Sequence, residues 1–423
     1  MPELILSTLF ENGRQHLDPD LFRSSGATLE GLRRGLLSLS RLENHTFGNL
    51  PPSRKVVAGV NRRVRDLKRE GVERLVVAGI GGSSLGARVL CSKPGSRVTF
   101  LEGIDADEIA ETLASIDWGR SALNIISKSG GTLETLVNAS LALRHLKRAL
   151  PEEWRKRVIL TASPGEGRLQ KWAAAKKVDV LEIPSAVGGR FSVLTPVGLL
   201  PAAFDGIDPA VIVAGAKRGA DKSLLFKGLE NPALALALIL VTFFSRGLGE
   251  VDLWGYGGRP YLFARWVQQL WGESLGRRIG ESSAHRVGVT PMACLGSADQ
   301  HSLLQLFVDG PPKRWVLFLT QDATGVKLSD ADRAFIGLPE NVGNTGAIQE
   351  ALWRGTAMAL DEAGTPVARY HLGDGDGEAL GEAFFVFEAA TVYAAGLMEI
   401  DPFGQPGVEA GKRFTRKLLR EIK

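Results

Sequence analysis

One rhythm constrains this chain more than any other feature. Short, wholly apolar runs end in glycines or hydroxyl residues and lead straight into helical stretches. LVVAGI (75–80) runs into GGSSLGARVL, and ALNIIS (122–127) into KSGGTLETLVNASLALRHLKRAL, where apolar residues recur at helical spacing. RVTFLEG (97–103), VILTAS (158–163) and VDVLEIP (178–184) repeat the strand half of the pattern. A run that is apolar throughout, rather than at every second residue, fits a strand buried on both faces, which means a parallel sheet covered by helices. After GLLP (198–201) the chain turns helical over 208–219 and 232–246. A second strand–helix rhythm then follows: VDLWGYG (251–257), YLFARWVQQLWGESLG (261–276) and RWVLFLT (314–320). The expected fold is α/β: two doubly wound parallel-sheet domains. A helical N-terminal segment over residues 1–70, broken at Pro51-Pro52, precedes them. A basic amphipathic helix behind PFGQPGVEAGK closes the chain. The two halves share an architecture without a clear internal sequence repeat.

Bulk properties exclude several classes. With 423 residues the chain exceeds one ordinary core, so two domains are expected: 55–200, and 1–54 together with 201–423. Its 51 basic and 47 acidic residues leave a net charge of only +4, which argues against nucleic acid as the main partner. The run Arg62, Arg63, Arg65, Lys68, Arg69 reads as a solvated helix face. Cys91 and Cys294 lie far apart, and no Cys/His pair has zinc spacing, so neither a disulfide framework nor a metal site is expected. The N-terminus lacks a basic segment followed by an apolar core. PALALALILVTFF (232–244) falls short of the roughly 20 residues of a membrane span and reads as a buried core helix. A cytoplasmic location with no membrane partner is the resulting expectation.

In open parallel sheets ligands bind beyond the carboxyl ends of the strands. Three loops lie there. GIGGSSLG (79–86) offers backbone amides at a helix start, and Glu102 ends the next strand where a ribose-binding acid of a nucleotide fold would stand. Ser84, however, occupies the place of the third dinucleotide glycine. NIISKSGGTLET (124–135) gathers Ser127, Ser129, Thr132 and Thr135 around Gly130-Gly131. Helix capping accounts for one or two of these hydroxyls, whereas a phosphate accounts for all four. Lys128 fits either a phosphate partner or a solvent-facing position. VGGRFSVLTP (187–196) places Arg190 in an otherwise apolar segment, where a structural salt bridge and a substrate contact fit equally well.

GIGGSSLG, SKSGGTLET and GGRFS in this order, then QQLWGESLG, His301 and FGQPGVEAGK, resemble the phosphoglucose isomerase (glucose-6-phosphate isomerase) family of the sugar-isomerase (SIS) fold superfamily. The resemblance extends from about residue 70 to the C-terminus. It implies two SIS-type, flavodoxin-like αβα domains, no cofactor, and reversible conversion of glucose 6-phosphate to fructose 6-phosphate in glycolysis and gluconeogenesis. Ring opening and proton transfer through a cis-enediolate would carry the reaction. It also implies roles. Glu273, four residues after Gln269 and so on the same helix face, matches the base. Arg190 matches the arginine beside the enediolate oxygen. His301 matches the ring-opening histidine, which in the family reaches the site from the partner subunit of a homodimer. Lys412 matches the lysine that assists it. Gly82 and Ser83 match sugar contacts, and Ser127, Lys128, Ser129, Thr132 and Thr135 match the phosphate loop. Gln405 matches a glutamine near the phosphate and Gln269 another polar contact, and Glu134 is a candidate to orient the histidine. His285 rivals His301 by chemistry only.

Two positions depart from the family pattern: Gly404 replaces an acid before Gln405, and Ser274-Leu275-Gly276-Arg277 replaces Ser-Asn-Gly-Lys. They leave local geometry and fine specificity, including mannose 6-phosphate, open. A sugar-phosphate sensor, a nucleotide-dependent enzyme and an aminosugar isomerase or synthase are the rival readings.

Overall fold

The computed structural model describes residues 1–6, 9, 17–18, 20–279, 285–322 and 325–422. In chain order the strands are β1 (Glu3–Ile5), β2 (Arg74–Ala78), β3 (Val98–Leu101), β4 (Ser121–Ile126), β5 (Val158–Ala162) and β6 (Asp179–Glu182). They continue with β7 (Glu250–Tyr256), β8 (Arg277–Arg278), β9 (Arg286–Val287), β10 (Thr290–Gly296), β11 (Arg314–Thr320) and β12 (Val367–His371). The first sheet runs β3-β2-β4-β5-β6, parallel throughout. Its inner strands β4 and β5 are buried at every position, as their unbroken apolar runs require, and the edge strand β6 is largely exposed. The second sheet runs β1-β12-β11-β7-β10, parallel except for the edge strand β1.

Both sheets follow the doubly wound logic of this fold class. The chain starts at β2, adds β3 on one side, then returns to β4 on the other. The second sheet does the same with β7, β10 and β11. Each thus has a point where the winding reverses, and the crevice outside the strand ends there receives ligands. In the first sheet it lies between β2 and β4, the strands that carry the two glycine-rich loops.

A single hydrophobic cluster joins the sheets, with Leu75, Val77 and Ala122 on one side and Val251, Leu253 and Leu317 on the other. The helix Gly377–Leu397 runs through it, with Phe384, Phe385 and Phe387 fully buried. This helix is long and apolar enough to cross a bilayer by length and composition, yet protein encloses most of it. The apolar run at 232–244 is likewise a buried helix, Pro232–Ser245. The helix Gly258–Leu275, which follows β7, packs on β7 and β10 and reaches the helix Leu85–Leu90 of the first unit. It thereby spans the two sheets at the level of their loops.

Two local expectations need correction. Residues 3–5 are not helical: they form β1, whose backbone completes the second sheet against β12. The basic run on the helix Arg54–Arg69 is not wholly solvated either. Arg63 is buried, donates to the Lys156 carbonyl and lies 3.3 Å from the Asp179 carboxylate, so it ties the helix to β6.

Candidate active site

Three loops converge because glycines allow it. Gly81 has φ +60°, and a Cβ there would stand 2.9 Å from Gln269 Nε2 on the helix Gly258–Leu275. A Cβ on Gly82 would collide with the Gly189 carbonyl group and approach Arg190 N at 2.8 Å. Ser192 Oγ donates within this contact, 3.1 Å to the Gly82 carbonyl and 2.7 Å to that of Gly189. The first loop and the GGRFS loop are therefore backbone against backbone, and Ser192 is a tie that the sequence reading passed over although it lies inside a quoted motif.

Arg190 is 1 % exposed. Its Nε donates to Ser274 Oγ at 2.6 Å, and Nη1 faces Glu273 Oε2 at 3.4 Å. Nη2 donates to the Pro402 carbonyl and, at 3.3 Å, to that of Gly404. Burial lowers its pKa from the usual arginine value, and the Glu273 carboxylate opposes that shift. Of the two readings left open for Arg190, the ion pair is present, and its partner is the candidate base. Ser274, fully buried, is a second residue that sequence reasoning missed; its only signal was adjacency to Glu273.

Glu273 is held from three sides. Gln269 Nε2 donates to Oε1 at 3.0 Å, one helical turn earlier. Gln405 Nε2 donates to Oε2 at 2.7 Å, from the turn that follows the buried helix. With Arg190 these donors fix an acceptor-only carboxylate in one orientation while leaving its side chain 27 % exposed. Arg277 closes the arrangement from below. Nη1 donates to the Glu273 carbonyl at 2.8 Å, Nε to that of Asp401 at 2.9 Å, and Nη2 to that of Gly404. The two departures from the family pattern are therefore in contact: the Arg277 side chain binds the Gly404 backbone.

The hydroxyl-rich loop leaves β4 and enters the helix Leu133–Ala149. Thr132 is its N-cap residue, but its side chain makes no capping bond. Its Oγ1 lies 3.2 Å from Ser127 Oγ instead. Ser129 Oγ accepts from Gly131 N at 3.4 Å. Capping thus explains neither hydroxyl, and no side chain caps the first turn of this long helix, the kind of helix start at which anions bind. Gly130, at φ +69°, makes the bend, and Gln170 braces it through the Ser163 carbonyl at 3.0 Å. Thr135 is buried, and its hydroxyl has no hydrogen-bond partner among the described residues. Lys128 is half-buried, and its pKa is lowered by burial and by the charge of Arg190, so the two cations share one field. That field is what a phosphorylated substrate would meet. Glu134 lies half-buried in the first helical turn. Ser83 ends the short turn Gly81–Ser83.

Two candidates lie outside this cluster in the single chain. His301 ends the turn Ala298–His301 after β10 and is exposed. Asp299 accepts from Leu295 N at 2.7 Å and from Ser302 Oγ at 2.8 Å, which fixes the turn that presents the imidazole outward. Lys412 stands on the exposed helix Glu409–Glu421, with Nζ 2.8 Å from Glu409 Oε1. Pro406 opens the short turn Pro406–Val408 that leads into that helix. The acid weighed as a ribose ligand, Glu102, is ion-paired with Arg88. Among the described residues no group of three or more His, Cys, Asp and Glu side chains could hold a metal ion.

Comparison with known proteins points to one family. The phosphoglucose isomerase family model matches residues 61–324. A glucose-6-phosphate isomerase of Thermus thermophilus is 33 % identical, the match covering 95 % of this chain and 97 % of the relative. One from Rubrobacter xylanophilus is 34 % identical over 95 % and 92 %. A crystal structure of a hypothetical protein from Thermus thermophilus superposes with a TM-score of 0.88 at 32 % identity, covering 99 % of this chain and 100 % of the other. The crystal structure of a Chlamydia trachomatis glucose-6-phosphate isomerase, at 21 % identity, shares the fold with a TM-score of 0.75 over 86 % and 73 %. A family match over more than half the chain, and relatives above 30 % identity along nearly all of it, lead to one conclusion: the chain belongs to the phosphoglucose isomerase family.

Proposed function

We propose that this chain is a glucose-6-phosphate isomerase that interconverts glucose 6-phosphate and fructose 6-phosphate. The observation that carries the reading is the fixed carboxylate of Glu273, flanked by the buried Arg190 guanidinium, whose charge in turn reaches Lys128 of the hydroxyl-lined loop. The loop of Ser127, Lys128, Ser129, Thr132 and Thr135 anchors the phosphate, with Gln405 near it, and Gly82, Ser83 and Gln269 bound the sugar. Glu273 removes the proton from one of the two neighbouring carbons and returns it to the other. Arg190 offsets the negative charge that develops on the enediolate oxygen, where a fixed cation in a dry site acts most strongly. The base contributes about 10²–10⁴-fold. His301 and Lys412 are assigned to ring opening. The test is a coupled assay of fructose 6-phosphate going to glucose 6-phosphate in metal-free buffer; absence of turnover ends the proposal.

The same reading assigns the phosphate loops to a domain over 55–200 and Glu273, His301 and Lys412 to one formed by 1–54 and 201–423, each built around its own sheet. It also makes the enzyme a homodimer in which His301 serves the partner's site. Its exposure supports that assignment. The neighbouring Gln300 reaches the carbonyl of Leu352, a leucine 40 % exposed, and exposed apolar surface near a catalytic group suits a subunit contact. Mixing Glu273→Gln and His301→Ala subunits tests it. Shared sites regain turnover in the hybrid, because one site then carries neither change; sites confined to one chain stay inactive.

A further inference from the structure

Residues 45–47 lie outside the stretch 61–324 that the family model matches, in the short turn Thr46–Gly48 and its N-cap residue His45. The backbone of this turn is fixed. His45 N donates to the Leu42 carbonyl at 3.0 Å, and the His45 carbonyl accepts from Asn49 Nδ2 at 2.9 Å and Gly48 N at 3.1 Å. Its side chains reach both segments that surround Arg190. Thr46 Oγ1 donates to the Ala186 carbonyl at 2.9 Å, just ahead of Gly188-Gly189, and the buried Phe47 ring meets Phe191 with centroids 6.4 Å apart. His45 reaches the other segment. Its imidazole packs edge-to-face with Phe403, at 4.9 Å between centroids and 84° between planes. Burial lowers the His45 pKa from the usual histidine value, so the ring is neutral at pH 7, which suits an aromatic contact. Phe403 in turn lies 5.6 Å from Phe191, and the Arg190 guanidinium stands over the Phe191 ring at 5.4 Å.

Phe403 sits at the centre of the turn on which the candidate base depends. The Pro402 and Gly404 carbonyls beside it accept from Arg190, and Gln405, two residues on, donates to Glu273. Arg190 and Arg277 hold this turn by its carbonyls, whereas His45 and Phe191 hold its one aromatic side chain. We infer that His45 is a positioning residue for the isomerase reaction: through Phe403 it sets where Gln405 and the two carbonyls stand, and so how Glu273 and Arg190 are presented to the sugar. The inference rests on the isomerase reading of those two residues. His45 acts only through the Phe403 ring, and the phosphate loop of Ser127–Thr135 has no part in this chain of contacts. The effect therefore falls on the chemical step and not on ground-state binding.

The experiment compares the full-length wild type with His45→Ala, His45→Phe, Phe403→Leu and the double variant His45→Ala/Phe403→Leu. Each is measured by steady-state turnover of fructose 6-phosphate and by amide hydrogen exchange. His45→Ala should lower kcat about three- to tenfold, the size of one lost aromatic pair, with KM unchanged. Faster exchange should be confined to residues 399–408. His45→Phe keeps a ring edge for Phe403 and should restore both readouts. Phe403→Leu should resemble His45→Ala, and the double variant should be no worse than either, since both changes remove the same contact. Wild-type kcat in His45→Ala, a change in KM that accounts for the loss, or no restoration by His45→Phe overturns the inference. So do additive losses in the double variant, and exchange that is unchanged or faster throughout the chain. The exchange readout does not depend on turnover. An inactive wild type would remove the isomerase reading, while exchange would still decide whether His45 holds the turn.

Discussion

Replacing Arg190 by lysine separates positive charge from geometry. The guanidinium is almost wholly buried and spreads its N–H groups over four acceptors: Ser274 Oγ, Glu273 Oε2 and the carbonyls of Pro402 and Gly404. A lysine ammonium keeps the charge but is a single point on a flexible stem. It cannot face the helix on one side and the Pro402–Gly404 turn on the other. At least two acceptors then lose a charge-assisted bond, each contributing about 1.5–3 kcal/mol, part of which the ammonium recovers. A net loss of about 3 kcal/mol in stability follows, enough to lower Tm by several degrees. In catalysis the displaced charge no longer sits beside the enediolate oxygen. Loss of one such stabilising group costs about 10²–10³ in kcat, while KM changes little because the phosphate anchor is elsewhere. Steady-state kinetics with a coupled dehydrogenase, together with a melting curve, reads both effects. A rise in KM with unchanged kcat would refute the assignment to the enediolate. An unchanged Tm would refute the clamp.

Gly82→Ala should separate the two backbone loops, since a Cβ there has no room against Gly189. Overpacking of this kind costs about 1–3 kcal/mol. Turnover should fall with it, and a variant with wild-type Tm and kcat would contradict the contact. Asp252, buried in β7 with Arg314 Nη1 3.2 Å away, has its pKa pushed up to about 7 by burial, against the pull of that arginine. The folded state thus holds this proton more tightly than the unfolded chain does. The stability it contributes is complete below the unfolded carboxylate pKa and is lost as pH rises from about 4 to 7. Melting temperatures of wild type and Asp252→Asn from pH 5 to 8 should diverge in favour of the variant. A constant difference, or one of opposite sign, would show that Asp252 titrates normally.

Much of this was legible in the sequence because it depends on local pattern. The inner strands announced themselves through unbroken apolar runs such as LVVA and VILTA, and the loops through glycines at strand ends. The hydroxyls at Ser127 and Thr132 were more numerous than capping needs, and neither caps. What escaped depended on distant partners. β1 is three residues long and is a strand only because β12 offers an edge. β10, β12 and the buried helix Gly377–Leu397 were passed over, and the helix is placed by packing from several sides. Arg63 looked like its solvated neighbours until Asp179 and the Lys156 carbonyl came against it. In the site, the roles of Ser192, Ser274 and Arg277 come from contacts with residues up to 127 positions away, as between Arg277 and Gly404, which no spacing rule encodes. The same limit held for the two departures from the family pattern: read one at a time they looked unrelated, yet Arg277 grips the backbone of Gly404.

The account stands or falls on Glu273 as the group that moves the proton. The direct measurement is turnover of fructose 6-phosphate by Glu273→Gln, with ligand affinity measured on the same preparation. The amide preserves shape and can still meet Gln269 and Gln405, so folding and sugar-phosphate binding should persist while kcat falls by about 10²–10⁴. Turnover close to that of wild type, in a variant that binds normally, would contradict it.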